Sequence, residues 1–146
     1  MATPDEALAN LVRERADNCC EYCQLPQAFS SAPFQFDHIV AEQHGGKTIA
    51  SNLALACLAD NNHKGPNLAG IDPKTGKKVW LFNPRRQKWS RHFRWQGPVL
   101  IGRTPVGRAT IAVLAINLPH RVAQRAALIA EGLFPLRILT PLPNDL

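Results

Sequence analysis

The spacing of four cysteines constrains this chain more than any other feature of its 146 residues. Cys20 and Cys23 form a C-x2-C pair, Cys19 stands directly beside them, and Cys57 follows far downstream. A chain without a secretion signal is not expected to form disulfides, because the cytosol keeps thiols reduced. The spacing instead predicts a metal site that joins two distant segments.

The composition favours one cytoplasmic domain covering residues 1–146. Hydrophobic residues make up 45% of the chain, which is enough to bury a core. The longest apolar stretch, residues 109–116, is far shorter than the roughly 20 residues of a membrane helix. The N-terminus begins with two early acids and no basic region, unlike a secretory signal. We therefore expect no membrane partner.

Positive charge is concentrated in one segment. Residues 64–108 hold eleven of the 17 lysines and arginines and one of the 11 acids, together with all three tryptophans. A basic segment with aromatic residues is typical of a surface that binds a polyanion, most simply nucleic acid. A solvated surface that only keeps the protein dissolved is the alternative.

Periodicity and capping predict an α+β fold. The sequence Thr3-Pro-Asp-Glu6 has the form of a capping box and predicts a helix over 4–16. Alternation predicts strands over 34–39 and 52–57, and a short helix over 58–65 ends at a glycine.

After residue 65 the sequence predicts a loop, a hairpin and two helices, in that order. Turn signals predict a loop over 66–90, and a hairpin over 93–102 turns near Gly97-Pro98. Helices follow over 104–116 and from residue 117 to near Gly132. The proline-containing tail 133–146 is expected to lack regular structure.

Five elements in order resemble the HNH endonuclease family. They are the paired cysteines, the Asp37-His38-Ile39 strand, a Gly-Gly loop, Asn52-Leu53, and a second knuckle that enters a helix with Asn61-x2-Lys64. The resemblance implies a ββα-metal nuclease core with a zinc knuckle at about 18–66. A basic, Trp- and Arg-rich extension (67–103), helices (104–132) and the tail flank it.

The resemblance also implies roles for five residues. His38 matches the general base, and a neutral imidazole suits that role near pH 7. Asp37 and Asn61 match the ligands of one Mg²⁺ (or Mn²⁺ or Ni²⁺), which prefers oxygen donors. Asn52 matches the residue that orients the catalytic histidine, and Lys64 is expected to contact phosphate or to stabilise charge in the transition state.

Four of these roles leave structural alternatives open, which are a structural histidine for His38, a turn or strand-end acid for Asp37, a turn residue for Asn52 and a helix cap for Asn61. Neighbours on a strand point to opposite faces, so Asp37 and His38 need a local distortion to serve one site. Asn61 has the alternative of only capping its helix, and Asn62 and His63 are adjacent rivals for its role.

The zinc knuckle departs from the family pattern at one ligand. Cys20, Cys23 and Cys57 match, but Asp60 stands where a fourth cysteine is expected. Zinc accepts a carboxylate, so Asp60 is one candidate for the fourth ligand, and His63 and Cys19 are the others. The alternative is that the site binds no zinc and the cysteines are small buried side chains.

The sequence therefore predicts a metal-dependent endonuclease that hydrolyses DNA phosphodiesters and nicks one strand per site. A homodimer is one route to double-strand cleavage. The densest candidates for phosphate contacts are four basic side chains: Arg85, Arg86, Lys88 and Arg91. The alternatives are an inactive, zinc-stabilised nucleic-acid-binding module and a structural subunit that binds RNA or an acidic protein.

Overall fold

A computed structural model describes residues 3–136 and shows a mixed helix and strand architecture. The helices are α1 (Glu6–Arg15), α2 (Leu58–Lys64), α3 (Trp89–His92), α4 (Pro105–Val113) and α5 (Pro119–Ala130). The strands are β1 (Gln35–His38), β2 (Leu53–Ala56), β3 (Ala69–Ile71), β4 (Lys78–Trp80), β5 (Phe93–Gln96) and β6 (Val99–Gly102). Each strand pairs antiparallel with its neighbour in sequence: β1 with β2, β3 with β4, and β5 with β6. Within residues 3–136, every helix is too short or too polar to cross a bilayer.

Strands β1 and β2 and helix α2 occur in the predicted order. Asp37 lies opposite Ala54 and His38 lies opposite Leu53 in the β1–β2 register. Helix α2 begins after Cys57, whose sulfur accepts a hydrogen bond from the helix backbone, and it ends at Gly65. The arrangement places the end of β1 against α2, so that the polar residues of both elements meet.

The first helix is shorter than predicted and has a different cap. Helix α1 starts at Glu6, because the carboxylate of Asp5 accepts a hydrogen bond from the Leu8 amide at 2.8 Å. The prediction that Thr3 and Glu6 form a capping box is therefore wrong. At the other end, the Arg15 guanidinium donates to the carbonyl oxygens of Ala50 and Leu53, which anchors α1 beside β2.

The prediction of a loop over 66–90 is also wrong, because this stretch contains the β3–β4 hairpin. Its strands have only three residues each, too few to show a period. The hairpin is stabilised from outside, since Arg108 of α4 donates to both carboxylate oxygens of Asp72 at 2.9 and 3.0 Å. Asp72 also accepts from Thr75 within the turn.

The β5–β6 hairpin is confirmed, and its turn contains Gly97 at a φ of +57°. Thr104 caps α4 as predicted, accepting from the Gly107 amide at 3.1 Å. Helix α4 ends at Val113 rather than near Ile116, and α5 runs over Pro119–Ala130. Of the predicted irregular tail, residues 137–146 lie outside the described residues.

One hydrophobic core joins these elements. It extends from Val12 on α1 to Ile116 after α4, with Tyr22 and Phe93 among its largest fully buried side chains. Trp89 and Trp95 pack against it and donate to Tyr22 O and Gln24 Oε1, at 2.8 and 2.9 Å. The cysteine-bearing turn is therefore built into the main core.

Candidate metal centre and active site

Three cysteines and one aspartate converge between the N-terminal turn and the start of α2. Cys20 and Cys23 come from the turn, and Cys57 and Asp60 come from α2 and its cap. All four are buried, and their ligand atoms lie within 4.8 Å of one another. The structure thus brings together the four residues that the sequence pattern favoured.

The spacing of two of the sulfurs fits a tetrahedral ion. The sulfurs of Cys23 and Cys57 are 3.7 Å apart. Two Zn–S bonds of about 2.3 Å at a tetrahedral angle place their sulfurs about 3.8 Å apart. The thiol of Cys20 lies 3.1 Å from Oδ2 of Asp60, so that this oxygen faces the sulfur of Cys20.

The electrostatics of the cluster favour a bound cation. Hydrogen bonds from Cys20 and Cys23 lower the pKa of the Cys57 thiol to about 5, so that one thiolate is present at neutral pH. Burial raises the pKa of Asp60 to about 7, with a further contribution from Cys23. Four acidic groups crowded out of water are stabilised by a metal ion, which takes them as anions.

Arg121 of α5 supplies a positive charge beside the cluster. Its Nη2 donates to Oδ1 of Asp60 at 2.7 Å and lies 3.8 Å from the sulfur of Cys57. Its Nη1 donates to the carbonyl oxygens of Leu114 and Ala115, which holds the guanidinium in place. Arg121 therefore leaves Oδ2 of Asp60 as the oxygen that faces the sulfur of Cys20.

The two other candidates for the fourth ligand, His63 and Cys19, have environments that differ from that of Asp60. His63 is exposed, and its Nδ1 lies 2.8 Å from the carbonyl oxygen of Ala59. Cys19 is half-buried and its thiol donates to the carbonyl oxygen of Asp17 at 3.4 Å. Neither belongs to the cluster, so Asp60 is the candidate that the geometry supports.

His38 lies at the end of β1 with one ring nitrogen anchored. Its Nε2 is 2.9 Å from the hydroxyl of Thr48 and 3.4 Å from a carboxylate oxygen of Glu42. Its Nδ1 is buried and has no hydrogen-bond partner among the described residues. With the proton on Nε2, facing the carboxylate, the lone pair on Nδ1 remains available to accept a proton.

Asp37, the neighbour of His38, is buried and bonded on both oxygens. Tyr22 donates to Oδ2 at 2.6 Å, and Nζ of Lys64 donates to Oδ1 at 3.1 Å. Lys64 is buried too, and Nζ lies 3.4 Å from the carbonyl oxygens of His38 and Ile39. Burial raises the pKa of Asp37, although Lys64 and Tyr22 oppose the shift. The side chains of Asp37 and His38 thus bond to different partners.

Asn52 organises the loop that follows His38. Its Oδ1 accepts from the Val40 amide at 2.9 Å, and its Nδ2 donates to the carbonyl oxygens of Val40 and Lys47 at 3.0 and 2.9 Å. These contacts are with the backbone rather than with the imidazole of His38. Asn61 is half-buried on α2, one residue after Asp60.

A family model described as HNH endonuclease matches residues 20–67, about a third of the chain. Those residues form an HNH domain. The matched stretch contains the cysteine–aspartate cluster, Asp37, His38 and Lys64, and it includes only the first four residues of the basic segment 64–108. No curated protein and no solved structure matches the chain significantly. HNH nucleases use divalent metals, and the buried cluster is one place in this HNH domain where a metal ion fits.

The four predicted phosphate contacts beyond the HNH domain have different environments. Arg85 forms an ion pair with Glu21 of the cysteine-bearing turn, and its side chain is 15% exposed. Arg86, Lys88 and Arg91 are exposed. Arg85 therefore connects the basic segment to the HNH domain, and the other three face solvent.

Sequence reasoning did not identify several residues that complete the two centres. Tyr22 donates to Asp37, Thr48 and Glu42 face His38, and Arg121 bonds to Asp60. Tyr22 carries one local signal, since it lies inside the C-x2-C pair. Arg121 carries no local sequence signal, because 61 residues separate it from Asp60.

Proposed function

We propose that the chain is a metal-dependent endonuclease that hydrolyses DNA phosphodiester bonds, with His38 as the general base. The observation that carries the proposal is the environment of His38 within an HNH domain. Its Nε2 is fixed by Thr48 and Glu42, and its Nδ1 is left without a partner among the described residues. A buried, unpartnered ring nitrogen is rare unless a water or a ligand completes it.

This arrangement determines which atom accepts the proton of the attacking water. Nδ1 of His38 accepts a proton from the attacking water, and the imidazole becomes positively charged. The carboxylate of Glu42, 3.4 Å from Nε2, stabilises that charge. Asn52 keeps the backbone after His38 in place through its three bonds to Val40 and Lys47. One such centre cuts one strand.

The oxygen donors of Asp37 and Asn61 suit Mg²⁺ and would hold it. Each carboxylate oxygen of Asp37 accepts one hydrogen bond and keeps a second lone pair, so the residue fits as a ligand. When bound, the ion supplies charge stabilisation at the scissile phosphate and at the leaving oxygen. The ammonium of Lys64 donates to Oδ1 of Asp37 and lies 3.4 Å from the carbonyl oxygen of His38.

We further propose that the cysteine–aspartate cluster holds a structural Zn²⁺. Replacing Cys23 with serine is expected to release zinc and to lower the melting temperature, because a serine hydroxyl is a poor zinc ligand and the apo cluster stays crowded. Cys19→Ser is the matched control, since Cys19 lies outside the cluster and should keep one zinc per chain. Elemental analysis and thermal denaturation measure both quantities. Loss of zinc from both variants, or from neither, would contradict the assignment.

The exposed residues Arg86, Lys88 and Arg91 are proposed to contact DNA phosphates. Changing all three to alanine is expected to reduce the slope of log affinity against log salt by about 2 to 3, since each contact contributes about 0.9. Fluorescence anisotropy with a duplex oligonucleotide in EDTA provides the measurement. Arg13→Ala, an exposed arginine on α1, is the control. An unchanged slope in the triple variant would place the DNA elsewhere.

One observation favours the second candidate function, an inactive nucleic-acid-binding module. Tyr22 and Lys64 each donate to one oxygen of Asp37, so that the lysine balances the charge of this carboxylate in the absence of a catalytic metal. The products of a plasmid assay distinguish the two functions. The nuclease is expected to produce nicked circles that DNA ligase seals. The resemblance to the HNH family implies that the P–O3′ bond breaks, which leaves a 5′-phosphate and a 3′-hydroxyl. A protein that binds the plasmid and leaves it supercoiled would support the binding module.

A further inference from the structure

Trp80 is exposed, unlike the other two tryptophans. Its side chain is 70% exposed, whereas Trp89 and Trp95 pack against the core and donate hydrogen bonds from their indoles. Exposing most of a large apolar ring to water is unfavourable by about 25 cal/mol per Å² relative to burying it. An aromatic side chain held at the surface in this way is suited to contact with a partner.

The pairing register of β3 with β4 places Trp80 on the face of the hairpin that points away from α4. Trp80 pairs with Ala69, and Gly70 pairs with Val79. Paired residues share one face of an antiparallel ladder, and successive residues alternate. The Gly70–Val79 face lies against α4, since a Cβ on Gly70 would come within 2.5 Å of Val113. The face that carries Trp80 is therefore directed away from α4.

Two clefts meet at Trp80. One has a volume of about 490 Å³ and includes Asn52, Lys64 and Arg86 in its wall. The other has a volume of about 740 Å³ and includes His44 and Lys78. Trp80, Asn67 and Leu68 line both. The exposed ring thus stands between a cleft that reaches the residues around His38 and a second cleft on its other side.

The charge of the two clefts identifies the partner. The exposed side chains of Lys78 and Arg86 contribute positive charge, and none of the described residues that line either cleft is acidic. An aromatic face beside a cationic groove is the arrangement that binds single-stranded nucleic acid, because bases stack on the ring and phosphates contact the cations. A base inside a duplex is already stacked on both faces, so the ring requires an unpaired base.

We propose that Trp80 is a stacking platform for an unpaired base of single-stranded DNA. The base lies on the indole, and the backbone follows the clefts from Lys78 past Arg86 toward Asn52. The proposal rests on the proposed nuclease function for the direction of the strand, but the binding itself requires no cleavage. It gives the chain a preference for unpaired or splayed DNA over closed duplex.

Equilibrium binding in EDTA tests this proposal independently of catalysis. The measurement is fluorescence anisotropy with a labelled single-stranded oligonucleotide and with its duplex, at one salt concentration. Trp80→Ala is expected to weaken single-strand binding about 10-fold, within the range for one stacked base. Trp80→Phe should retain most of the affinity, because phenylalanine also presents an aromatic face. Ile71→Ala is the matched control, since Ile71 is 54% exposed on the same face of the hairpin and cannot stack.

Three outcomes would overturn the proposal. They are equal affinities of Trp80→Ala and the parent for the single strand, an equal loss in Trp80→Ala and Ile71→Ala, and an equal loss for single strand and duplex. Failure of the nuclease proposal has a different signature, since the plasmid would stay uncut while the effect of Trp80→Ala in EDTA persists. Circular dichroism of each variant confirms that the fold is retained.

Discussion

Replacing Arg121 with methionine is expected to lower the free energy of unfolding by about 3 kcal/mol and to weaken zinc binding by about 10- to 100-fold. Arg121 is 6% exposed and bonds to Asp60, which is fully buried. Removing one partner of a buried pair leaves the other charge without compensation, which usually costs about 3–5 kcal/mol. We expect the lower end of this range of free energies because the pKa of Asp60 is raised to about 7. The carboxyl group left behind therefore takes up a proton at modest cost.

Metal affinity falls for a related reason. Arg121 fixes Oδ1 of Asp60 and leaves Oδ2 facing the sulfur of Cys20, so its loss frees the carboxylate to rotate. Competition with a chromophoric chelator measures the affinity, and urea denaturation of the zinc-free protein measures stability. In an Asp60→Asn background, Arg121→Met should lower the free energy of unfolding by less than half as much as in the parent. The reason is that no buried carboxylate is then left without its partner.

Arg125→Met is the matched control for Arg121. Arg125 lies one turn further along α5, is also buried, and donates to the carbonyl oxygens of Pro98 and Ile116 rather than to Asp60. Its replacement is expected to reduce stability while leaving zinc affinity within about 2- to 3-fold of the parent, because it touches no ligand of the cluster. Equal zinc affinities in the two variants would refute a role for Arg121 at the metal centre.

Replacing His38 with alanine is expected to reduce the rate of DNA nicking by about 10²- to 10⁴-fold, the usual contribution of a general base. The binding affinity for DNA should change by less than about 3-fold, since His38 is 6% exposed and phosphate contacts supply the affinity. Initial rates on supercoiled plasmid and anisotropy on a duplex measure the two effects separately.

Two further variants isolate the chemistry of His38 from its packing. His120→Ala on α5 removes an exposed imidazole and should leave the rate unchanged. Glu42→Gln keeps the shape of the side chain that faces Nε2 but removes its charge, so a smaller loss of rate with an unchanged melting temperature is expected. A His38→Ala protein that is folded and nicks at the parent rate would eliminate this residue as the base.

The sequence predicted the HNH segment well because its signals are local. The alternation of β1, the glycine after α2 and the C-x2-C pair all lie within a few residues of the structure they specify. The β3–β4 hairpin could not be predicted in this way. Its three-residue strands are ordered by the ion pair between Asp72 and Arg108, which lie 36 residues apart in sequence.

The candidate site was predictable as a set of residues but not as a set of bonds. The pattern identified Asp37 and Lys64 separately, and only the fold shows that they form a buried ion pair. Arg85 looked like a phosphate contact because its neighbours are basic, whereas Glu21 neutralises it from the cysteine-bearing turn. Long-range pairing of charges depends on tertiary structure, which a single sequence does not display.

The most direct test of the account is the metal dependence of nicking by the purified protein. Supercoiled plasmid is incubated with protein that has been depleted of weakly bound metal, first in EDTA and then with Mg²⁺, Mn²⁺ or Ni²⁺ in excess. We expect nicked circles to form only after a divalent ion is restored, while zinc content stays constant. A folded protein that binds the plasmid and leaves it supercoiled with all three ions would contradict the assignment of His38, Asp37 and Asn61 to a nuclease centre.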